Sequence, residues 1–183
     1  MKKAFFLDRD GVININKGHI VSTNSITLFP GMEKALKYIK DKDYIVIMIT
    51  NQSSIGRGLI NESQLHKINE YLISKISKNN TYIDDVYFCP HHPKYGIGKY
   101  KINCACRKPN NKLIEDAISK WNIVRSKSFM IGDNLSDYKA AKRSKIKFFF
   151  KKNVNFYMQV KSCLLYTSPS PRDAHESRMP SSA

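Results

Sequence analysis

In Ala4-Phe5-Phe6-Leu7-Asp8-Arg9-Asp10-Gly11 a wholly apolar run meets three charged residues and a glycine. A strand with one wet face alternates apolar and polar residues. An unbroken apolar run therefore predicts a strand covered on both faces, as in a parallel sheet. Residues 44–49, Tyr-Ile-Val-Ile-Met-Ile, read the same way and are β-branched through their centre. Shorter runs at 86–89, 128–131 and 147–150 predict three more strands. Between the strands lie patterns with apolar residues three and four apart, at 32–39 after Pro30-Gly31, at 112–121 and at 137–143. A longer one runs from about 61 to 77, with Leu65, Ile68, Leu72, Ile73 and Ile76 on one face. Strands alternating with helices predict an α/β domain. The expected architecture is a Rossmann-like parallel sheet flanked by helices, with right-handed crossovers.

Open sheets of this kind take ligands at the carboxyl ends of their strands. Asp8-Arg9-Asp10 closes the first strand, Thr50-Asn51-Gln52 the second and Gly132-Asp133-Asn134 the fourth. Asp8 and Asp10 are two apart, so in an extended segment both carboxylates reach one side. Two like charges at close range need a cation between them or a shared proton. A hard cation such as Mg²⁺ suits oxygen ligands, and Asp133 supplies a third carboxylate. Taken alone, Asp-x-Asp-Gly could equally be an ordinary turn. Thr50, Asn51 and Gln52 add a hydroxyl and amides suited to phosphate oxygens, and Lys108 adds a cation that balances phosphate and carboxylate charge.

In this order the residues resemble the haloacid-dehalogenase-like phosphatase superfamily. Its four motifs match Asp8-Arg9-Asp10-Gly11, Thr50, Lys108-Pro109 and Gly132-Asp133-Asn134-Leu135-Ser136-Asp137. The likeness covers residues 1 to about 150. It implies that Asp8 is a nucleophile forming an aspartyl-phosphate and that Asp10 is the general acid and base. It also implies that Mg²⁺ is held by Asp8, the main-chain carbonyl of Asp10, and Asp133. Thr50 and Lys108 would stabilise charge on the transferring phosphoryl group. For Asp137 two readings stand: it orients Asp133 or a metal-bound water, or it caps the following helix.

Outside residues 163–183 there are three thiols, Cys89, Cys104 and Cys106, with His91 and His92 close by, and 14 residues separate Cys89 from Cys104. Three is an odd number for disulfides in a reducing compartment. Three Cys and one His form a closed tetrahedral shell for a structural zinc ion. Cys89-Pro90-His91-His92-Pro93 followed by Cys104-Ala105-Cys106-Arg107-Lys108-Pro109 is similar to the branch holding heptose 1,7-bisphosphate 7-phosphatases and histidinol-phosphatases. There the first histidine, His91, is the zinc ligand, and the zinc-pinned loop runs into Arg107-Lys108. The stretch from Thr50 to Gly58 resembles the branch's second motif and makes Asn51, Ser53, Arg57 and Arg107 candidates for substrate contact. Ser54 stands where the branch usually has Gly, and Asn134 where a Lys or Arg commonly follows the metal-binding Asp. With no large insertion, the domain is expected to be capless and its substrate held by loops. The resemblance implies a small phosphorylated sugar as substrate, with heptose bisphosphate ahead of histidinol phosphate. A polynucleotide 3′-phosphatase shares Asp-x-Asp-Gly and Thr-Asn-Gln. A basic zinc module binding nucleic acid is the reading outside enzymology.

The chain has 183 residues and 31 basic against 15 acidic side chains, a net charge of +16. Such an excess suits nucleic acid or acidic membranes. Here, however, 24 of the basic residues are Lys, dispersed at positions such as Lys34, Lys37, Lys139 and Lys142 on what should be solvated helix faces. A nucleic-acid partner is therefore not expected. No apolar run reaches about 18 residues, so a membrane span is not expected either, and Met1-Lys2-Lys3 leads into too short an apolar run for a signal peptide. A cytoplasmic monomer is expected. From Cys163 onward the sequence loses its periodicity and fills with Ser and Pro. It resembles a translated adaptor joined to a truncated reading frame. The expected organisation is a phosphatase domain over 1–162, lacking a last strand or helix, and a disordered non-native tail over 163–183.

Overall fold

The computed structural model describes residues 1–77 and 81–165. Five strands form one sheet: β1 (Lys3–Leu7), β2 (Tyr44–Asn51), β3 (Asp85–Cys89), β4 (Phe129–Gly132) and β5 (Lys147–Phe150). All pairings are parallel, and the order is β3-β2-β1-β4-β5, so β1 is central. Its side chains alternate between two cores. Phe5 and Leu7 pack with Val46 and Met48 beneath α1 (Met32–Lys40), α3 (Glu62–Ile76) and α6 (Phe156–Leu165). Ala4 and Phe6 pack with Ile47 and Ile49 against α4 (Lys112–Trp121) and α5 (Leu135–Arg143). Burial on both faces is why the run 4–7 carries no polar alternation. Each fully buried Phe of β1 contributes about 1.5–3 kcal/mol of transfer free energy.

Register brings the polar tripeptides to one edge. Leu7 stands beside Met48 and Ile131, so Asp8 emerges level with the last turns of β2 and β4. Asn51 pairs with Cys89, so the cysteine loop leaves the sheet from the same edge. Residues 8–31 cross that edge with only a 3₁₀ turn at Thr23–Ser25, and no cap domain is inserted among the described residues. No helix among them is long and apolar enough to cross a membrane. Several lysines lie over aromatic rings: Lys2 is 4.4 Å from the centroid of Trp121 and Lys34 is 4.5 Å from that of Tyr157.

Two helices stand where none was expected. α2 (Ser53–Gly56) is a single turn following β2. α6 packs on α1 and buries Phe156, Gln159, Val160 and Cys163. The domain boundary expected at residue 163 thus falls inside α6, which runs to Leu165. Residues 166–183, the rest of the expected tail, lie outside the described residues. Cys163 gives a direct check. Cys163→Asp places a charge in the core and is expected to cost about 2 kcal/mol or more in urea unfolding. A residue of an unpacked tail would change stability by less than about 0.5 kcal/mol.

Candidate active site

Loops leaving β1, β2 and β4 enclose a cleft of about 490 Å³. Asp8, Asp10, Thr50, Asn51, Ser53, Arg107, Lys108 and Asp133 all line it. At its floor the ammonium of Lys108 is buried. It donates to Asp8 Oδ1 at 2.7 Å and to the carbonyl of Ile49 at 3.0 Å. Asp137 Oδ1 lies 2.6 Å from the same ammonium in an ion pair and is otherwise buried without a partner. Burial pushes the Asp8 carboxyl up to about 7; Lys108 pulls it down, and Asp137 pushes it further up.

The contacts of Asp137 bear on its helix-capping reading. Its Oδ2 accepts from the main-chain N–H of Asn134 at 3.1 Å, closing a capping box in which Asn134 is the N-cap of α5. Asp137 is therefore the third residue of the box rather than the cap itself, and its ionic partner is Lys108. Asn134 spends its side chain on the cap. Gly11 has φ +95, and a Cβ there would meet Asp133 Oδ2 at 1.9 Å. The glycine of Asp-x-Asp-Gly is what lets the loop pass against Asp133.

Asp10 faces a different set of partners. Arg9 donates to it from Nε at 3.1 Å and from a terminal nitrogen at 2.8 Å, and Gln52 Nε2 donates at 3.0 Å. Gln52 Nε2 also donates to Thr50 Oγ1 at 2.8 Å. Gln52, read as a phosphate ligand, instead bridges Thr50 and Asp10. Asn51, a candidate for substrate contact, grips the main chain of Lys108 with both atoms of its amide. It accepts from Lys108 N at 3.0 Å and donates to Lys108 O at 3.1 Å. Arg57 does not line the cleft; its guanidinium lies over Tyr95 at 4.2 Å. Arg107 does line it, while donating to the carbonyl of His91 at 2.9 Å. Arg9, Asn14, His19 and Asn69 are among the polar residues here that sequence reasoning gave no role.

Two groups of side chains have the composition of metal sites. Oxygens of Asp8, Asp133 and Asp137 lie within 4.8 Å of one another. One ammonium against three carboxylates leaves a shortage of positive charge that a divalent cation would meet. The Asp10 carboxylate, turned to Arg9 and Gln52, is outside this group. The second group is Cys89, His91, Cys104 and Cys106, whose ligand atoms also lie within 4.8 Å of one another. Cys106 Sγ is 3.0 Å from Cys89 Sγ, 3.2 Å from Cys104 Sγ and 3.4 Å from His91 Nδ1, and no disulfide joins them. Burial pushes the Cys89 thiol far up, so a thiolate there requires a cation. His92 stands apart, its Nδ1 accepting from the main chain of Lys94 and Tyr95.

A family model for haloacid dehalogenase-like hydrolases matches residues 2–145. The chain belongs to that family. This bears out the resemblance carried by the four motifs. The hydrolase is 39% identical over 147 residues to the D-glycero-beta-D-manno-heptose-1,7-bisphosphate 7-phosphatase of Haemophilus ducreyi, covering 80% of each chain. It is 36% identical over 145 residues to the enzyme of that name from Rhodopseudomonas palustris, covering 79% of this chain and 81% of the relative. Its fold is shared with a had-like phosphatase of Mesorhizobium loti, at a TM-score of 0.81 and 24% identity over 93% of this chain and 90% of that one. A D,D-heptose 1,7-bisphosphate phosphatase of B. bronchiseptica, solved with magnesium and phosphate, superposes at a TM-score of 0.76 and 23% identity over 90% of this chain and 99% of that one.

Gly11→Ala tests the packing of the loop against Asp133. The strained backbone is expected to cost about 1–3 kcal/mol. Any rise in melting temperature on adding Mg²⁺ is expected to be smaller than in wild type, because Asp133 must move. A variant that melts like wild type and responds equally to Mg²⁺ would contradict this geometry.

Proposed function

We propose that the hydrolase removes the 7-phosphate of D-glycero-β-D-manno-heptose 1,7-bisphosphate through an aspartyl-phosphate on Asp8, using Mg²⁺ and carrying a structural zinc ion. The reaction rests on one observation above all: a buried Asp8 carboxylate, bonded to Lys108 at the cleft floor, lines a cleft shared with Asp10 and Asp133. The substrate rests on the curated relatives, which carry that name at up to 39% identity over four-fifths of the chain. The rim of the cleft fits a doubly phosphorylated ligand. Arg107 and His19 line it, and these two, with Arg57, help desolvation hold His92 below its ordinary range.

In this reading an Asp8 carboxylate oxygen attacks phosphorus, and the bond from phosphorus to the C7 oxygen breaks. Asp10 gives its proton to that leaving oxygen. Asp10 then takes a proton from the water that attacks the aspartyl-phosphate, which frees Asp8 and inorganic phosphate. Lys108 and Thr50 face the phosphoryl oxygens, where charge stabilisation and positioning supply most of the rate. Asp8, Asp133 and the main-chain carbonyl of Asp10 would hold Mg²⁺, which when bound would supply positive charge that keeps Asp8 ionised and balances the phosphate. Zinc bound by Cys89, His91, Cys104 and Cys106 pins the loop that continues into Arg107 and Lys108. Thiol ligands suit a reducing compartment, in keeping with action in the cytoplasm.

Asp8→Asn is expected to lower turnover by at least about 10³-fold while the protein still folds cooperatively. Turnover retained by that variant would remove the nucleophile. Parallel assays on heptose bisphosphate, histidinol phosphate and a 3′-phosphorylated oligonucleotide should give the highest kcat/KM for the first. Preference for either of the others overturns the substrate assignment. Elemental analysis of protein purified without chelator should find one zinc per chain, and chelation should lower the unfolding midpoint. Absence of zinc with an unchanged midpoint would remove the structural metal.

A further inference from the structure

No step of the mechanism above uses Arg9. Yet Arg9 is the largest fully buried side chain among the described residues, at 0% exposure. A charge so deep is rare unless it is paired. Its partners are specific. One terminal nitrogen donates to Asn69 Oδ1 of α3 at 3.0 Å. The other donates to Gln52 Oε1 and to Asp10 Oδ2, both at 2.8 Å. Gln52 and Asn69 are themselves buried. The result is a closed triangle in which Arg9 bonds Gln52, and Arg9 and Gln52 both bond the same oxygen of Asp10. Asp10 Oδ1 is less engaged, with Arg9 Nε at 3.1 Å and Asn14 Nδ2 at 3.5 Å.

We infer that Arg9 is a positioning residue: anchored by Asn69 and Gln52, its guanidinium grips both oxygens of Asp10, Oδ2 most closely, and so sets the angle at which Oδ1, the oxygen with the longer contacts, meets the proton it transfers. This rests on the proposed role of Asp10 as acid and base. Asp8 and Asp10 lie two residues apart beside one cleft, and both are carboxylates. What separates their work is the partner each is given. Asp8 has the ammonium at the cleft floor, and Asp10 has the buried guanidinium. The planar fork of Arg fixes the angle of a carboxylate as well as its charge, which a Lys ammonium cannot do.

The decisive experiment compares Arg9→Gln, Arg9→Lys, Asn69→Ala and Asp10→Asn, each with Mg²⁺, on heptose bisphosphate and on p-nitrophenyl phosphate. Nitrophenolate leaves without a proton, so its first-turnover release does not need Asp10, whereas hydrolysis of the aspartyl-phosphate does. For Arg9→Gln, kcat on the sugar phosphate should fall about 10²-fold with KM nearly unchanged, the scale of general acid–base catalysis. The nitrophenolate burst should stay near wild type while the steady rate that follows falls. Arg9→Lys should restore little. Should Arg9→Gln fail to fold, Asn69→Ala decides, since it loosens the anchor while Arg9 and Asp10 remain; it should show the same split to a smaller degree.

If Asp10→Asn shows the split and the folded Arg9 or Asn69 variants keep wild-type kinetics, the inference is overturned and the role of Asp10 stands. The same holds if burst and steady rate fall together, which marks a merely structural role. If Asp10→Asn itself lacks the split, the role of Asp10 falls and this inference with it.

Discussion

The ammonium of Lys108 is buried, and it is bonded at once to the Asp8 carboxylate and the Ile49 carbonyl, with Asp137 in ionic contact. An ammonium in such a place must be neutralised, and so must the carboxylates around it; removing one member of a buried ionic set costs several kcal/mol. That constraint joins elements far apart in the sequence. Asp8 follows β1, Ile49 belongs to β2, Asp137 lies in the first turn of α5, and Lys108 arrives on the loop that carries Cys104 and Cys106. Asn51 secures the arrangement by gripping the main chain of Lys108 as a neighbouring strand would. The sheet edge, the cysteine loop and the helix cap thus meet at one charge.

The same balance explains why a divalent cation suits the site. Asp8 is pushed up to about 7 by burial even with Lys108 beside it. In the proposed reaction Asp8 must be ionised to attack phosphorus, and positive charge added near Asp133 would achieve that without further protein groups. Asp10, one residue beyond Arg9, draws its compensation from a separate source. The two carboxylates of Asp-x-Asp-Gly are therefore divided by environment rather than by residue type, the general way one site runs nucleophilic and acid–base chemistry together.

Much of this was legible in the sequence. The apolar runs at 4–7 and 44–49 foretold strands buried on both faces, and the tripeptides after them foretold the edge where Asp8, Thr50 and Asp133 gather. The cysteine spacing foretold the cluster with His91. Other features were hidden for physical reasons. Arg9 was masked because a charged residue beside a cleft reads as exposed, and only tertiary contact with Asn69 of α3 shows it buried. Asn51 and Gln52 read as phosphate ligands because an amide's chemistry is known from sequence but its direction is not. α6 was missed because Lys151-Lys152-Asn153 and the Ser/Pro composition past Cys163 obscured Phe156, Val160 and Cys163, three apolar residues at helical spacing. Nor does a charge of +16 show from sequence where its lysines lie: Lys2 and Lys34 sit over aromatic rings away from the cleft.

The central claim is that a phosphoryl group passes through Asp8. Protein quenched in acid during turnover of heptose bisphosphate, reduced with borohydride and digested, reports the bond directly by mass spectrometry. The account predicts reduction of an acyl phosphate at position 8, giving homoserine there and at no other carboxylate. Homoserine at a different position, or none in protein that is turning over, would contradict it.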